Sequence, residues 1–577
     1  MSTAGAMPES ASYDYVVVGA GSAGCVLAAR LTEDPAVRVL VLEAGPPDDA
    51  DEVHMPAAFW RLFKTERDWD YTTEVQKQLH DRRLYWPRGR MLGGSSSMNA
   101  MIYIRGHRLD YDRWRDEYGC TGWGYADLLP YFRRAEDQAR GPSPYHGVGG
   151  PLRVEDLRQV HELTDAFLAA AAAAGLPPND DFNGPEQDGA GRYQVTQKRG
   201  RRWSAADAYL HPAARRANLT VLADALVTRV TVHGGRATGV AYRRHGTELT
   251  VRAEREVVLA GGAVNSPQLL MLSGIGPAGQ LREHGIDVVA DLPGVGENLH
   301  DHPYLPVMWF SRGSTDLRAD ETTANMLRWY ATRRGRLTSN AAESGGFLRS
   351  QPGLPAPDVQ FHMLPTMAYQ QGLSLPPGVG LSILPALVDV RSRGRLALRS
   401  ADPRWRPAID AGYYDDPADL DAMLAGVRMA QEIAARAPLA AFVDRPYLPG
   451  PDARRDDDLR EAIRAGTETL FHPVGTCAMG TGEGAVVDTE LRVRGVAGLR
   501  VVDASVMPAV PRGNTNAPTV ALAERAADLL LGRPPLAASA PEPYRALPRP
   551  AVPAPGRTSA AQATRPGPAP ADHLGGS

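Results

Sequence analysis

Residues 14–43, DYVVVGAGSAGCVLAARLTEDPAVRVLVLE, constrain the fold more than any other stretch. Residues 15–18 form a short β-branched run closed by glycine, as in a strand buried on both faces of a parallel sheet. Gly19-Ala20-Gly21-Ser22-Ala23-Gly24 follows at once, and residues 25–31 carry the apolar spacing of a helix. Residues 37–42 then read as a second strand ending in Glu43. Strand, glycine turn, helix, strand and acid make a dinucleotide-binding unit. Gly19 makes the tight turn, Gly21 admits a pyrophosphate to the backbone, and Gly24 lets helix and strand pack closely. Glu43 would accept from a ribose hydroxyl. Whether the dinucleotide is NAD or FAD is not decided by these residues, since both use the same turn and acid.

At 577 residues the chain exceeds one simple core and suggests two domains plus tails. Its 63 basic and 67 acidic residues leave a net charge of −4, so nothing points to nucleic acid or an anionic membrane. Residues 1–12 lack the basic-then-apolar order of a leader, and no run approaches the roughly 18 apolar residues of a membrane span. A soluble cytoplasmic protein is the expectation. Cys25, Cys120 and Cys477 are odd in number and widely spaced, which disfavours disulfides or a structural zinc site, and Cys25 reads as a packing residue.

Beyond the first unit, residues 44–82 read as loops and short pieces. In Gly89-Arg90-Met91-Leu92-Gly93-Gly94-Ser95-Ser96-Ser97-Met98-Asn99-Ala100-Met101, small donors follow a glycine pair and an apolar helix start is expected after them, suiting a second contact with phosphate or an electron-rich ring. Strands are expected over 218–222, 226–232, 237–243 and 256–260, with Gly234-Gly235 as a hairpin turn and a helix over 268–272. An alanine-rich helix is expected over 163–174, closed by Gly175. Strand-like pieces over 358–364, 380–390 and 395–398 alternate with loops, and residues 417–434 form a helix with an ordinary apolar stripe. The paired histidine and acid of His300-Asp301-His302-Pro303 lack a third ligand at clear spacing, so no metal is assigned. From Arg533 onward about a quarter of the residues are proline, and such a tail cannot offset its ordering entropy by burial.

The loop 89–106, the segment Gly262-Ala263-Val264-Asn265-Ser266-Pro267-Gln268, the stretch His472-Pro473-Val474-Gly475-Thr476-Cys477, the run Val502-Asp503-Ala504-Ser505 and the segment Gly513-Asn514-Thr515-Asn516-Ala517-Pro518-Thr519 together resemble, in order, the signatures of the glucose-methanol-choline (GMC) oxidoreductases. The resemblance runs from about residue 13 to 531. It implies an α/β fold with a Rossmann-like FAD-binding domain over 13–157, 218–303 and 470–532. A substrate-binding domain, a mostly antiparallel sheet with helices, would cover 158–217 and 304–469, between tails at 1–12 and 533–577.

The resemblance also implies chemistry. FAD would contact Ala44, Arg90, Gly93, Gly94, Ser95, Ser96, Asn99, Ala100, Met101, Asp503, Ala504, Asn516, Pro518 and Thr519, with Val227 near the adenine and Ala260 near the dinucleotide. The last two read equally as sheet core. Met98 stands where some relatives carry a flavin-linking histidine, so non-covalent FAD is expected. His472 would take the hydroxyl proton of a primary alcohol as hydride passes to flavin N5, and Asn516 would orient the oxygen. Glu343 is a candidate lining residue of the substrate pocket. Choline and aliphatic alcohol dehydrogenases are the members most alike, with oxygen, a quinone or a carrier as electron acceptor. The competing reading is a lyase or fatty-acid photodecarboxylase on the same scaffold. The photodecarboxylases are associated with a cysteine in the substrate domain, and none lies between Cys120 and Cys477.

Overall fold

The computed structural model describes residues 12–313, 317–374, 377–539 and 541. Of the expected N-terminal tail only Ser12 is among them, and it opens the first strand. The proline-rich tail lies outside them except at its start, where the chain is tied to the body. Leu536 donates its N–H to the Tyr131 hydroxyl at 3.1 Å, and Ser539 donates to the Ala126 carbonyl at 2.9 Å.

The dinucleotide unit forms as the sequence implies: β1 (Ser12–Val18), α1 (Ser22–Leu31) and β2 (Val39–Leu42). Residues 16–18 and 39–42 are buried, which is why they carry no polar alternation. β2 pairs in parallel with β1 on one side and with β3 (Leu219–Leu222) on the other. The chain then runs through β4 (Ala225–His233), β5 (Arg236–Arg244) and β6 (Thr247–Leu259), an antiparallel meander turning at Gly234-Gly235. The upper half of β6 joins β1 in parallel, and β7 (Leu499–Val501) pairs with its end. The sheet order is β3-β2-β1-β6-β5-β4.

Two local readings are corrected. β6 begins at Thr247, well before residue 256, because its first half lies in the open hairpin, where exposed charges such as Glu248 and Arg252 dilute the apolar signal. The glycine-serine loop does not lead into a helix. It makes one 3₁₀ turn over Gly94–Ser97, after which Met101 takes a positive φ of 60° and Ile102 bridges to Val195.

A second sheet of eight strands is antiparallel at every pairing, in the order Val443–Leu448, Val307–Ser311, Gly380–Leu387, Val359–Leu364, Ser344–Leu348 and Gly189–Arg192. Pro303–Tyr304 and Glu468–Thr469 attach to it as a short ladder. The helix Pro417–Ala434 packs on this sheet. Asp416 caps it through the Ala418 N–H at 2.9 Å, and Leu420, Met423, Leu424, Val427 and Ala430 are buried. Among the described residues no helix is long and apolar enough to cross a membrane.

Candidate active site

Parallel strands leave their ligand site at their C-terminal ends, and a single cavity opens there. Gly19, Gly21 and Ser22 line it where β1 hands over to α1, so the unpaired N–H groups of the helix start face it. Glu43 and Ala44 line it at the end of β2, and Ala260 at the end of β6. The Glu43 carboxylate accepts the N–H groups of Ala20 and Gly45, each at 2.9 Å, and so braces the glycine turn as well. Burial nonetheless pushes its pKa up to about 6. Val227 lines the same end.

Gly94, Ser95, Asn99, Ala100 and Met101 continue the wall. Gly94 has φ of 52°, and a Cβ there would stand 2.7 Å from the Gly21 Cα. The two glycines therefore bring the serine turn onto the start of α1. Asp503, Ala504, Asn516 and Thr519 close the remaining side. Asp503 ties two motifs together by accepting from the Gly262 N–H at 2.8 Å, the Ser266 hydroxyl at 2.6 Å and the Ser505 N–H at 2.8 Å.

Five residues expected at the cofactor stand behind the wall. A Cβ on Gly24 would lie 1.9 Å from the Gly19 carbonyl oxygen, so this glycine serves helix-strand packing. Gly93 donates its N–H to the Ala20 carbonyl at 2.7 Å, and the Ser96 hydroxyl is spent on the Gly93 carbonyl at 2.6 Å. Arg90 reaches the Ala44 carbonyl at 3.0 Å with its guanidinium over Trp69, while Pro518 is buried in the first turn of the C-terminal helix.

His472 lies at the other end of the cavity, buried, following Phe471 with its positive φ of 68°. Asp301 fixes that turn by accepting the His472 N–H at 2.7 Å and the Thr469 hydroxyl at 2.5 Å, and it also accepts from the Tyr413 hydroxyl. Nδ1 of His472 is 3.0 Å from Nδ1 of His302, and Nε2 is 3.3 Å from Nδ2 of Asn514. The Asn514 oxygen accepts from Gln360 at 3.4 Å, which turns its NH₂ toward the imidazole. Nε2 therefore carries the lone pair, and Nδ1–H donates to His302. Burial, reinforced by the fields of His302, His362 and Arg88, holds the His472 pKa well below that of an ordinary imidazole. The ring is neutral.

The amide against His472 is thus Asn514, in place of the expected Asn516. Asn516 opens α2, the C-terminal helix Asn516–Leu530, and accepts the Ser22 hydroxyl at 2.7 Å, joining two helix N-termini at one end of the cavity. Glu343 does not line the cavity. Its carboxylate is taken up by the Ser339 and Thr164 hydroxyls and the His161 N–H, each at 2.6 Å. Asp301, His302, His362 and Asn514 carry no catalytic mark in the sequence. Asp301 and His302 show only as the Asp-His-Pro run, whose partners lie about 170 residues away, and Asn514 only as a member of the motif that ends in Thr519.

This donor set fits FAD: an acid at the ribose position, two helix starts and a serine turn for phosphates, then a cavity reaching an imidazole. Asn340 Oδ1 and both ring nitrogens of His362, buried on its wall, have no protein partner. A dinucleotide-binding α/β unit joined to an antiparallel sheet, with a neutral imidazole and an amide at the far end of one cavity, defines a flavin-dependent oxidoreductase. The chain belongs to the GMC oxidoreductase family, whose N-terminal model matches residues 13–304 and whose C-terminal model matches 390–523. It is 46% identical over 538 residues to mitochondrial choline dehydrogenase of Homo sapiens, covering 91% of this chain and 90% of that one. It is 44% identical over 528 residues to alcohol dehydrogenase [acceptor] of Pseudomonas putida, covering 90% and 96%. Among solved structures it resembles pyridoxine 4-oxidase from Mesorbium loti (TM-score 0.83, 33% identity, 90% and 100% covered). Formate oxidase is similar (TM-score 0.85, 28% identity, 91% and 99% covered).

Proposed function

We propose that this protein oxidises a primary alcohol to the aldehyde, using FAD held without a covalent bond. The observation that supports this most is the His472 Nε2 lone pair, buried and uncharged beside Asn514 in the cavity that begins at the glycine turn. The relatives named as dehydrogenases of choline and of an alcohol support an alcohol donor. When bound, FAD supplies the acceptor for the hydride equivalent. The residues above would hold it: Glu43 the ribose, and Gly21, Ser22 and the serine turn the phosphates.

The substrate hydroxyl would lie beside both His472 Nε2 and the Asn514 NH₂, taking over the hydrogen bond that now joins them. Nε2 takes its proton as the α-C–H bond is lost, and the amide steadies the oxygen while it carries negative charge. The depressed proton affinity of His472 keeps Nε2 free across neutral pH. Nδ1–H donates to His302, which fixes the tautomer, and Asp301 fixes the backbone. Met98 lines the cavity with a thioether, whose sulfur has no proton to lose and so cannot form the neutral link that a histidine nitrogen forms.

Anaerobic addition of a primary alcohol is expected to bleach the yellow holoenzyme with one aldehyde formed per flavin, and acid precipitation is expected to release all the colour. Turnover of a carboxylic acid only under blue light would overturn the reaction, and yellow colour in the acid pellet would overturn non-covalent binding.

A further inference from the structure

We infer that this active site takes an uncharged, apolar primary alcohol and turns away quaternary ammonium alcohols such as choline. The inference rests on the alcohol-oxidation reading above and narrows it.

Two apolar clusters line the cavity together with His472. Phe471 meets Phe63 edge-on at 6.2 Å, and Phe63 meets Phe59 in the same way at 6.2 Å. Tyr304 and Leu384 pack with Leu364 and Leu470 in the other. Such walls suit an alkyl or aryl body.

A trimethylammonium head placed there loses its hydration and needs a counter-charge in return, which aromatic rings such as those of Phe59, Phe63 and Phe471 replace only in part. No free carboxylate is offered. Among the described residues the carboxylates lining the cavity are Glu43, Asp503 and Glu321, and the first two belong to the cofactor end. Glu321 is already paired with the Arg61 guanidinium and accepts the Trp60 Nε1–H at 3.1 Å. The Trp60 ring is covered by the same guanidinium, 5.4 Å from its centroid. Glu468 is screened from the cavity by Tyr304, whose hydroxyl donates to it at 2.6 Å, and Glu343 is engaged by three donors behind the wall.

The cations point the same way. The half-buried guanidinium of Arg88 lines the cavity and donates to the Phe471 carbonyl at 2.7 Å, directly before His472. A fixed positive charge on the substrate would meet that field with no unpaired carboxylate on the cavity wall beside it. The likeness to choline dehydrogenase therefore does not extend to the choline head.

Choline and 3,3-dimethylbutan-1-ol have the same shape and differ only in a cationic nitrogen replaced by carbon. Their binding is read by calorimetry on anaerobic His472→Ala holoenzyme, which holds substrate without consuming it, and their efficiency by flavin reduction in the wild type. The uncharged isostere is expected to bind about tenfold tighter or more and to reduce the flavin about 100-fold more efficiently. From 1-butanol to 1-octanol the dissociation constant is expected to fall about fourfold per methylene, from ~0.8 kcal/mol for each buried CH₂. Arg61→Ala, which frees Glu321, is expected to shift the efficiency ratio toward choline. An unchanged ratio would remove that ion pair from the argument. Choline equal to or better than its isostere would overturn the inference and leave alcohol oxidation standing. Failure of choline and every uncharged alcohol to reduce the flavin would overturn the alcohol reading itself.

Discussion

Nδ2 of Asn514 stands 3.3 Å from Nε2 of His472, at the end of the imidazole that faces the cavity. An alcohol oxygen placed there meets a proton acceptor and a neutral donor at once. Asn514→Ala is therefore expected to slow anaerobic flavin reduction about 100-fold, the usual loss for one donor to a developing oxyanion. Asn516→Ala, which breaks the link to Ser22, should instead lower the flavin-to-protein absorbance ratio and slow reduction far less. Equal rate losses in the two variants would return the catalytic role to Asn516.

Asp301 accepts three hydrogen bonds around His472. Asparagine at 301 keeps one acceptor and adds an NH₂ that faces donors, so one buried donor is left unpaired. Asp301→Asn is expected to cost about 1–3 kcal/mol in stability by denaturant unfolding and to slow flavin reduction without loss of FAD.

His362 faces the cavity with both nitrogens unpartnered, and burial brings its pKa down to about 3. An unfolded imidazole titrates near 6.5, so between these values the unfolded state binds the extra proton. Stability from the neutral ring is therefore complete above pH ~6.5 and is lost as pH falls toward 3. Glu468, raised by burial to about 7, acts with opposite sign, so the comparison is made against a variant. His362→Gln should gain on the wild type by on the order of 2 kcal/mol between pH 7 and 5, read as unfolding free energies. A constant difference across that range would contradict the buried neutral ring.

Gly94→Ala would set a Cβ 2.7 Å from the Gly21 Cα at a backbone φ of 52°. The purified variant is expected to retain its far-ultraviolet circular dichroism while holding much less FAD.

The dinucleotide unit was legible because its signals are local: a β-branched run, a glycine turn and an acid, all within residues 14–43. The choice between Asn514 and Asn516 was not legible. Asn514 precedes and Asn516 opens the same helix, and only the fold shows which of them faces His472. Glu343 reads as a free carboxylate in sequence, yet its partners His161 and Thr164 arrive from 182 and 179 residues away. His302 shows only as part of the His-Asp-His-Pro run and His362 lies in a strand with no motif of its own, so their meeting at His472 depends on the second sheet. The charged helix Arg108–Glu117 was missed because only Asp110, Tyr111 and Trp114 are buried on it, too narrow a stripe to read.

The central claim is that His472 Nε2 takes the substrate proton, and pre-steady-state flavin reduction under anaerobic conditions tests it most directly. His472→Ala is expected to bind FAD at full stoichiometry and to reduce it about 1000-fold more slowly with a saturating primary alcohol. Reduction within about threefold of the wild-type rate, well inside the range that general-base loss produces, would show that another group does this work.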